Sequence, residues 1–303
     1  MKSHNYYSHG KLLISGEYLV LDGALALVMP LKLGQSLLCE ESPNSGLRWN
    51  AYHPEGCWFR AEFDLPTLSV KSATIPEIAG KLRTYLLEAR KLNKNFLNDI
   101  AGYQVSTHME FSREWGLGSS STLTANIAAW AEIDAFDLHF AVSKGSGYDI
   151  AAALNPKPFL YQLIDHKPSI TSVNFNPSFS DSLYFVYLGK KQNSESGISD
   201  YRKTKVTESD ILKISDLTGI LVSSRSLEEF QQVMQEHEDI ISHILNAPKL
   251  SNTVFKDISC SAKSLGAWGG DFAMLATDIQ ESELKKMLNA SGFNICFRFE
   301  ELL

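Results

Sequence analysis

At 303 residues the chain is longer than one ordinary domain core, and its length fits two domains of average size. Apolar residues make up 44% and charged residues 21% of the sequence, which is the range of folded globular proteins and excludes a disordered or fibrous chain. The formal net charge of -7 argues against a nucleic-acid partner, because duplex binding depends on a basic surface that neutralises phosphates.

The cysteines and the apolar stretches indicate a cytoplasmic protein. Four scattered cysteines show none of the paired spacings of zinc sites or redox dithiols, so we expect reduced thiols. Residues 1–10 are polar and lack the apolar run of a signal peptide. The most apolar stretch, 12–33, is interrupted by Glu17, Asp22 and Lys32, and it falls short of the roughly 20 apolar residues that a membrane span needs. We therefore expect no membrane partner.

The first part of the chain is rich in predicted strands. They lie at residues 11–20, 25–29, 35–40, 49–52, 58–63 and 103–111. Asp22 and Gly23 supply a turn between the first two. Apolar residues spaced three and four apart predict an amphipathic helix over 76–96, with proline at its start. A second helix is predicted over 122–133, after a glycine- and serine-rich tract.

The second part of the chain mixes strands with helices. A loop at 144–149 leads into a short buried helix at 150–154, and an exposed loop is predicted over 190–205. Strands are predicted at 159–164, 170–175, 183–188, 272–276 and 294–299, and helices at 227–245, 252–265 and 281–291. This order predicts an α+β protein.

The glycine- and serine-rich tract between a strand and a helix is the strongest single motif. Gly116 and Gly118 permit a tight turn and a close backbone approach to a ligand, and the following helix presents unpaired N–H groups and a positive dipole end. Phosphate oxygens fit such a site. The hydroxyls of Ser119, Ser120 and Ser121 can donate to those oxygens, or one can ligate the Mg²⁺ that accompanies ATP. The alternative is a glycine turn with a serine N-cap that binds nothing.

Four tracts together resemble the motifs of the GHMP kinases, the family named for galactose, homoserine, mevalonate and phosphomevalonate kinases. Residues 10–23 resemble the first motif, in which a lysine after glycine precedes a G-E-x-x-V-L-x-G pattern. Residues 116–120 look like the second motif, and 266–271 resemble the third, G-A-G-G-G-D, with Trp268 in place of a glycine. Residues 145–153 are similar to the G-S-G-F-D-V-A-A-A stretch of phosphomevalonate kinases.

The resemblance implies a fold and two cofactors. We expect an N-terminal domain over 1–172, like the second domain of ribosomal protein S5, and a ferredoxin-like C-terminal domain over 173–303. The cofactors implied are ATP and Mg²⁺, with Ser119 and Ser120 as the candidates for contact with the metal. The residues implied in nucleotide binding form one continuous run: Trp115, Gly116, Leu117, Gly118, Ser119, Ser120 and Ser121.

Two charged residues receive chemical roles through the resemblance. Asp149 matches the family's catalytic aspartate, which would orient the acceptor hydroxyl and take its proton. Taken alone, Asp149 would be interpreted as an Asx-turn or N-cap before the helix at 150–154. Lys11 matches the family's lysine near the active centre, where a cation holds the aspartate ionised or neutralises developing charge. Taken alone, Lys11 would be interpreted as a solvated lysine.

Substrate contacts are expected from the first, third and fourth tracts, besides Lys11 and Asp149 themselves. They comprise Glu17, Ser146, Gly147, Gly266, Ala267, Gly269 and Gly270. The glycines of the third motif should form a backbone wall near the substrate and phosphates, although a helix C-cap followed by a turn is an alternative. Glu17 could pair with Lys11 or lie near the metal. Lys190 and Lys191 could bind an acidic acceptor, but a solvated charged pair is the simpler interpretation.

Two departures from the family pattern are informative. The family usually has proline four residues before G-L-G, where this chain has Ser112, so a rigid turn is lost. Mevalonate kinases carry a magnesium-binding glutamate 11 residues before the catalytic aspartate, and the matching position here is Leu138, with Asp137 beside it. The metal is then expected to rest on serine hydroxyls, phosphates and water, or on Asp137 after a local shift. This pattern favours the phosphomevalonate-type branch.

The resulting interpretation is a kinase that transfers the γ-phosphoryl group of Mg-ATP to a small anionic acceptor, phosphomevalonate or mevalonate. A hydroxyl acceptor benefits from a base such as Asp149, whereas a phosphate acceptor is already ionised and needs cations. Two alternatives stay open: a sugar or homoserine kinase of the same fold, and a catalytically inactive member that binds nucleotide or metabolite as a sensor. The oligomeric state is left open between a monomer and a homodimer.

Overall fold

The computed structural model describes residues 2–99, 101–190, 192, 194–268 and 270–303. The chain forms two compact units. The first unit comprises Met1–Gly10, Leu33–Arg113 and Leu117–Asn155, and the second comprises Lys11–Lys32, Glu114–Gly116 and Pro156–Leu303. The chain therefore crosses between the units several times. The domain boundary expected at residue 172 stays a prediction.

A mixed sheet forms the centre of the first unit. Its strands are β2 (Ala26–Ser42), β3 (Gly46–His53), β4 (Gly56–Phe63), β5 (Val70–Ala73) and β6 (Gly102–Met109). They lie in the order β5-β4-β3-β6-β2, and β1 (Ser3–Leu13) pairs with β2. The strands β3 and β6 run parallel, whereas the pairs β2–β6, β3–β4 and β4–β5 are antiparallel. In β4 every second residue from Phe59 to Phe63 is buried, as expected for a strand with one face on a core.

Four helices complete the first unit. They are α1 (Pro76–Leu92), α2 (Ser119–Trp130), α3 (Ala135–Val142) and α4 (Tyr148–Leu154). Proline opens α1, and its buried residues Ala79, Leu82, Leu86 and Ala89 recur at intervals of three and four, which places them on one face. Asp134 caps α3 by accepting from the amides of Phe136 and Asp137. The helices and the sheet share a core that includes Trp49, Phe59, Leu86, Val105 and Ile127.

The second unit contains a four-stranded antiparallel sheet. Its strands are β9 (Leu183–Tyr187), β10 (Ser261–Leu265), β11 (Phe272–Ala276) and β12 (Cys296–Arg298), in the order β10-β11-β9-β12. The helices α6 (Glu208–Ser223) and α7 (Leu227–Leu245) follow β9, and α8 (Glu281–Ala290) lies between β11 and β12. This β-α-β-β-α-β order is ferredoxin-like, as the resemblance to the GHMP kinases implies. The short helix α9 (Phe299–Leu302) follows β12.

The rest of the second unit surrounds the start of β2. β7 (Phe159–Ile164) pairs with residues 26–28 of β2 and with β8 (Lys167–Ser172). A 3₁₀ helix, Leu19–Asp22, ends at Gly23 in the left-handed conformation. The helix α5 (Ser194–Tyr201) is anchored by Tyr201, whose ring stacks on Tyr18 at 5.4 Å and whose hydroxyl donates to Asp22 Oδ2 at 2.6 Å.

The α+β fold class is confirmed, but three strand predictions are wrong in detail. The strand predicted over 11–20 ends at Leu13, because Gly16 and Tyr18 take positive φ values of 86° and 60° that break an extended chain. The strands predicted at 25–29 and 35–40 are parts of the single strand β2. Before Pro30 this strand pairs with β7, and from Gln35 onward it pairs with β6.

The predictions for 190–205 and 252–265 are also wrong. The polar stretch predicted as an exposed loop contains α5, which tertiary contacts of Tyr201 stabilise despite its composition. Where a helix is predicted over 252–265, residues 253–260 form turns and bends, and 261–265 form the strand β10, whose five residues are all buried and pair with β11. Helix α6 was not predicted, although the capping box formed by Thr207 and Asp210 marks its start.

The four cysteines are free, in line with the reduced thiols expected. Burial raises the pKa of Cys39 to about 12 and the pKa values of Cys260 and Cys296 to about 11, so these thiols stay protonated at neutral pH. Within the described part of the chain, every helix is too short or too polar to cross a bilayer.

Candidate active site

The segment from Gly116 to Ser121 leads from a 3₁₀ helix, Arg113–Trp115, into α2. Gly116 has a φ of 66°, and Gly118, the N-cap of α2, has a φ of 97°. Glycine adopts these left-handed conformations without steric strain, so the backbone path itself requires both glycines. Among the residues that the structure describes, no side chain caps this N-terminus. The first amides of α2 and the positive end of its dipole therefore form a site that suits phosphate oxygens.

Of the three serine hydroxyls in the first turn of α2, that of Ser119 best fits a metal–phosphate group. Ser121 is buried and donates to Gly118 O at 3.0 Å, and Ser120 Oγ lies 3.1 Å from the Tyr85 hydroxyl. The Ser119 hydroxyl makes no hydrogen bond to the described residues. Mg²⁺ prefers oxygen ligands and keeps several waters, so Ser119, phosphates and water form a fitting donor set. No cluster of three histidine, cysteine or acidic residues that could hold a metal occurs among residues the structure describes.

A buried polar network anchors the first turns of α2 to β2. Thr122 Oγ1 donates to Gln35 Oε1 at 2.7 Å, which is shorter than its distances to the carbonyls of its own helix turn. Asn126 Nδ2 donates to Gln35 O at 2.9 Å, and Ser8 Oγ donates to Asn126 Oδ1 at 2.9 Å. Buried hydrogen bonds of this kind cost free energy when one partner is removed, so they fix the helix against the sheet.

Asp149 lies in the first turn of α4, which also begins after a left-handed glycine. Gly147, with a φ of 86°, is the N-cap, and no side chain of the described part of the chain caps this helix. Asp149 is half-buried, and its Oδ1 accepts from the amide of Ile150 at 3.1 Å. The alternative interpretation of Asp149 as the N-cap is therefore wrong. A Cβ on Gly147 would lie 3.3 Å from the Phe136 ring, so this turn is packed closely. Ser146 is buried beside it.

Lys11 and two motif glycines lie together in the second unit. Lys11 is half-buried, and its Nζ donates to Gly116 O at 2.9 Å. Gly266 follows β10 with a φ of 69°, and a Cβ there would lie 3.9 Å from Lys11 Nζ. The ammonium of Lys11 thus connects the first motif to the second by a hydrogen bond and lies near the third, all within one unit.

The loop from Gly266 to Asp271 joins β10 to β11 and ends in a buried carboxylate. Asp271 is 6% exposed and has a φ of 53°, a left-handed conformation that aspartate tolerates better than most residues. Its carboxyl group lies directly against Gly116, where a Cβ would overlap it. Ala267 and Gly270 are buried, and a Cβ on Gly270 would lie 2.9 Å from Lys190 O. The predicted sites Gly269 and Lys191 lie outside the described residues.

Trp115 packs on the four-stranded sheet. Its ring lies 5.5 Å from the Phe297 ring, 6.2 Å from Phe272 and 6.3 Å from Tyr187. The Tyr187 hydroxyl donates to Glu114 O at 3.0 Å. These contacts place the residue before Gly116 firmly on β9, β11 and β12. The role expected for Trp115 in nucleotide binding stays a prediction.

Glu17 lies in a fully buried charge cluster. Lys263 donates to Glu17 Oε1, and its Nζ lies 3.7 Å from Glu238 Oε1. The side chains of Glu17 and Lys263 have no exposed surface, and Glu238 is 1% exposed. The cluster joins the first motif to β10 and α7. Buried charges of this kind are stable only when paired, so the ammonium of Lys263 is what permits carboxylates here.

The protonation of the cluster follows from its burial. Desolvation raises the pKa of Glu17, and the nearby ammonium of Lys263 opposes that shift. Desolvation also raises the pKa of Glu238 to about 8, with Lys263 opposing and Glu17 adding to the rise. Burial thus favours the protonated form of both carboxyl groups, and for Glu238, with a pKa of about 8, that form predominates at neutral pH.

His237 completes the cluster and holds the first motif. Its Nε2 accepts from the amide of Gly16 at 3.1 Å, which requires a neutral ring with no proton on that nitrogen. Burial, and then the positive charge of Lys263, lower the pKa of His237 well below its ordinary value. The 3.4 Å approach of His237 Nε2 to Glu17 Oε2 is thus a contact of a neutral ring and not an ion pair.

Comparisons with solved structures identify the fold that carries this geometry. No protein-family model and no curated protein sequence matches the chain. Streptococcus pneumoniae phosphomevalonate kinase, solved with phosphomevalonate and AMPPNP, matches with a TM-score of 0.71 at 18% identity, over 97% of this chain and 99% of that one. L. major mevalonate kinase, solved with R-mevalonate, matches with a TM-score of 0.69 at 16% identity, over 97% and 94% of the two chains. Lactococcus lactis galactokinase matches with a TM-score of 0.63 at 13% identity, over 96% and 89%. The chain has the GHMP kinase fold.

Within this GHMP kinase fold, the structure groups some of the predicted residues and separates others. Lys11, Gly116 and Gly266 lie together in the second unit, whereas Ser119, Ser120, Ser121, Ser146, Gly147 and Asp149 belong to the first unit. Glu17 has Lys263 as its partner, so the expectation of a role beside the metal gains no support from its contacts. The predicted site roles themselves stay predictions.

Sequence reasoning missed four residues of the GHMP kinase fold that contact the motifs. Asp271 is the last residue of the third motif and packs against Gly116. The aspartate at the end of the G-A-G-G-G-D pattern could have indicated it as a site residue. No motif marks Lys263, His237 or Glu238. Lysine, histidine and glutamate are usually exposed, so their burial could not be predicted from the sequence.

Proposed function

We propose that the chain is an ATP-dependent kinase that transfers a phosphoryl group to a small anionic acceptor of the phosphomevalonate or mevalonate type. The observation that carries this proposal is the uncapped N-terminus of α2 behind Gly116 and Gly118, two left-handed glycines. A phosphate chain needs such backbone donors more than it needs particular side chains. The GHMP kinase fold supports this activity by analogy, since one fold can carry several functions.

The nucleotide half of the proposal rests on α2. The amides at the start of the helix would hold the phosphates, and Ser119 would contact Mg²⁺ together with phosphate oxygens and water. Bound Mg²⁺ would offset the negative charge of the phosphates. The hydrogen bonds of Thr122 and Asn126 to Gln35 keep the helix start in place, which favours rapid transfer because alignment dominates this chemistry.

The acceptor half rests on Asp149 and Lys11. Asp149 has one carboxylate oxygen engaged with the Ile150 amide, and in the proposed reaction it orients the acceptor hydroxyl and takes its proton. Lys11 would stabilise the charge on the transferred oxygens. The two solved structures named with mevalonate-type ligands, together with the G-S-G-Y-D-I-A-A-A stretch at 145–153, support this acceptor class over a sugar.

Calorimetry and a coupled assay test the proposal. ADP and ATP should bind the purified chain with micromolar to submillimolar dissociation constants in the presence of Mg²⁺, and ADP release should appear with phosphomevalonate or mevalonate. Asp149→Asn should lower kcat by about 10²–10⁴-fold while nucleotide still binds. Asp257→Asn, at an exposed aspartate, is the matched control and should leave kcat unchanged.

The outcomes separate the alternatives. Absence of nucleotide uptake at millimolar concentration would refute the kinase proposal. Turnover of galactose or homoserine alone would replace the acceptor class by that of a sugar or homoserine kinase. Nucleotide binding without turnover of any acceptor, and no effect of Asp149→Asn, would identify a sensor.

A further inference from the structure

The carboxylate of Asp271 lies at the meeting point of the first, second and third motifs. It packs against Gly116, whose carbonyl accepts from Lys11, and both Asp271 and Lys11 lie near Gly266. Asp271 Oδ2 and Lys11 Nζ each lie 3.9 Å from the position that a Cβ on Gly266 would take. These two groups of opposite charge are thus within about 8 Å of each other in a partly buried place, where Coulombic attraction is stronger than in water.

The backbone around Asp271 holds its carboxylate in this position. The amide of Asp271 donates to Lys190 O at 2.7 Å, and its carbonyl accepts from Leu188 N at 2.8 Å. Its Oδ1 accepts from the amide of Gln192 at 3.1 Å. Three hydrogen bonds to one neighbouring segment, in a residue with a φ of 53°, leave the carboxylate little freedom to rotate away from Gly116.

Gly116 is consequently held on two sides. Its carbonyl is bound by Lys11, its Cα faces the carboxylate of Asp271, and Trp115 before it is packed on the sheet. Gly116 opens the turn that leads to the N-terminus of α2.

We propose that Asp271 is a positioning residue of the phosphate site, which acts by holding Lys11 and Gly116 in place; this rests on the proposed function. The carboxylate itself is buried and repels phosphate, so it does not contact the nucleotide. Lys11, which is half-buried, is the group that meets the ligand charge. Positioning and simple charge repulsion predict opposite signs for the effect of removing the carboxylate charge on nucleotide affinity.

The substitution Asp271→Asn tests the proposal, because it removes the charge of the side chain and keeps its shape. Asparagine tolerates the left-handed conformation and keeps an oxygen that can accept from Gln192, but it removes the charge. With ADP and Mg²⁺ as the probe in calorimetry, Asp271→Asn should weaken binding about tenfold in the otherwise unaltered chain. In the Lys11→Met background the same change should weaken binding less than twofold, because the residue through which Asp271 acts is gone.

Three results would overturn the proposal. Asp271→Asn could tighten ADP binding or leave it unchanged, which would mean that the carboxylate only repels phosphate or has no role. It could also weaken binding equally in both backgrounds, which would exclude action through Lys11. Asp257→Asn serves as the control for the loss of a negative charge elsewhere in the same unit.

A second measurement needs no nucleotide. In urea unfolding of the ligand-free chain, Asp271→Asn and Lys11→Met should be non-additive, with the double variant less destabilised than the sum of the two single variants. Additive effects would overturn the proposal. If the unaltered chain took up no nucleotide, the proposed function would fall, while this unfolding cycle would still decide whether Asp271 and Lys11 are coupled.

Discussion

Replacing Lys263 with methionine should destabilise the second unit by about 3–5 kcal/mol, because it removes the only ammonium among the described residues that faces the buried carboxylate of Glu17 within ion-pair distance. Methionine is similar to lysine in length and fits an apolar site. The loss is therefore electrostatic, since Glu17 must either remain ionised without a partner or take up a proton. A domain is typically stable by about 5–15 kcal/mol, so the variant should unfold at clearly lower urea concentration.

The magnitude can be checked by a second change in the same cluster. Glu17→Gln removes the carboxylate that Lys263→Met leaves unpaired. We expect the double variant to be more stable than Lys263→Met alone, because replacing both members of a buried pair by neutral groups is often close to neutral. Lys285→Met is the matched control: Lys285 pairs with Glu281 on the surface of α8, and such exposed pairs contribute about 0–1 kcal/mol.

Urea unfolding followed by circular dichroism gives the free energy of unfolding for each variant. If Lys263→Met proved no more costly than Lys285→Met, the cluster would not depend on its ammonium. If the double variant lost the full sum of the two single changes, Glu17 and Lys263 would not act as a pair.

Two further predictions concern pH and the anchoring of α2. Because burial raises the pKa of Glu238 from its ordinary 4.5 to about 8, the folded chain keeps a proton that the unfolded chain releases, so stability should fall as pH rises through 8. Glu238→Gln should lose less stability than the unaltered chain between pH 6 and pH 9 in urea unfolding, and an equal loss in both would contradict this assignment. Thr122→Val should cost about 1–3 kcal/mol by leaving Gln35 Oε1 without its donor, whereas Thr84→Val, at an exposed threonine bonded within its own helix, should cost less than about 0.5 kcal/mol. Thermal unfolding of the two variants compares them, and equal shifts would rule out a special role for the buried hydrogen bond.

Local patterns allowed much of the fold to be predicted. The helix at 227–245 and the strands at 159–164 and 272–276 lie where the apolar spacing predicts them. The helix at 76–92 is marked by proline at its start and by buried residues at helical intervals. Where tertiary contacts override composition, as for α5 and β10, the sequence pattern predicted the wrong element.

The pairing of distant residues could not be predicted from local patterns. Lys263 lies 246 residues after Glu17, and no periodicity brings the two together. The third motif includes Asp271 as its last residue. Its packing against Gly116, however, depends on the path of the loop between β10 and β11, which the sequence does not predict. For Gly116 and Gly118, the sequence did predict the turn, because the positive φ values require glycine there.

The path of β2 has a consequence for attempts to dissect the protein. Its residues 26–28 pair with β7, which belongs to the second unit, and its residues 35–42 pair with β6 of the first. No single peptide-bond cleavage can therefore release either unit intact, since a fragment that starts at Pro156 would keep β8 beside β7 but would lose residues 26–28 of β2 on its other edge. Recombinant halves of this protein would have to be built by rejoining non-contiguous segments, and a simple truncation would yield an incomplete sheet.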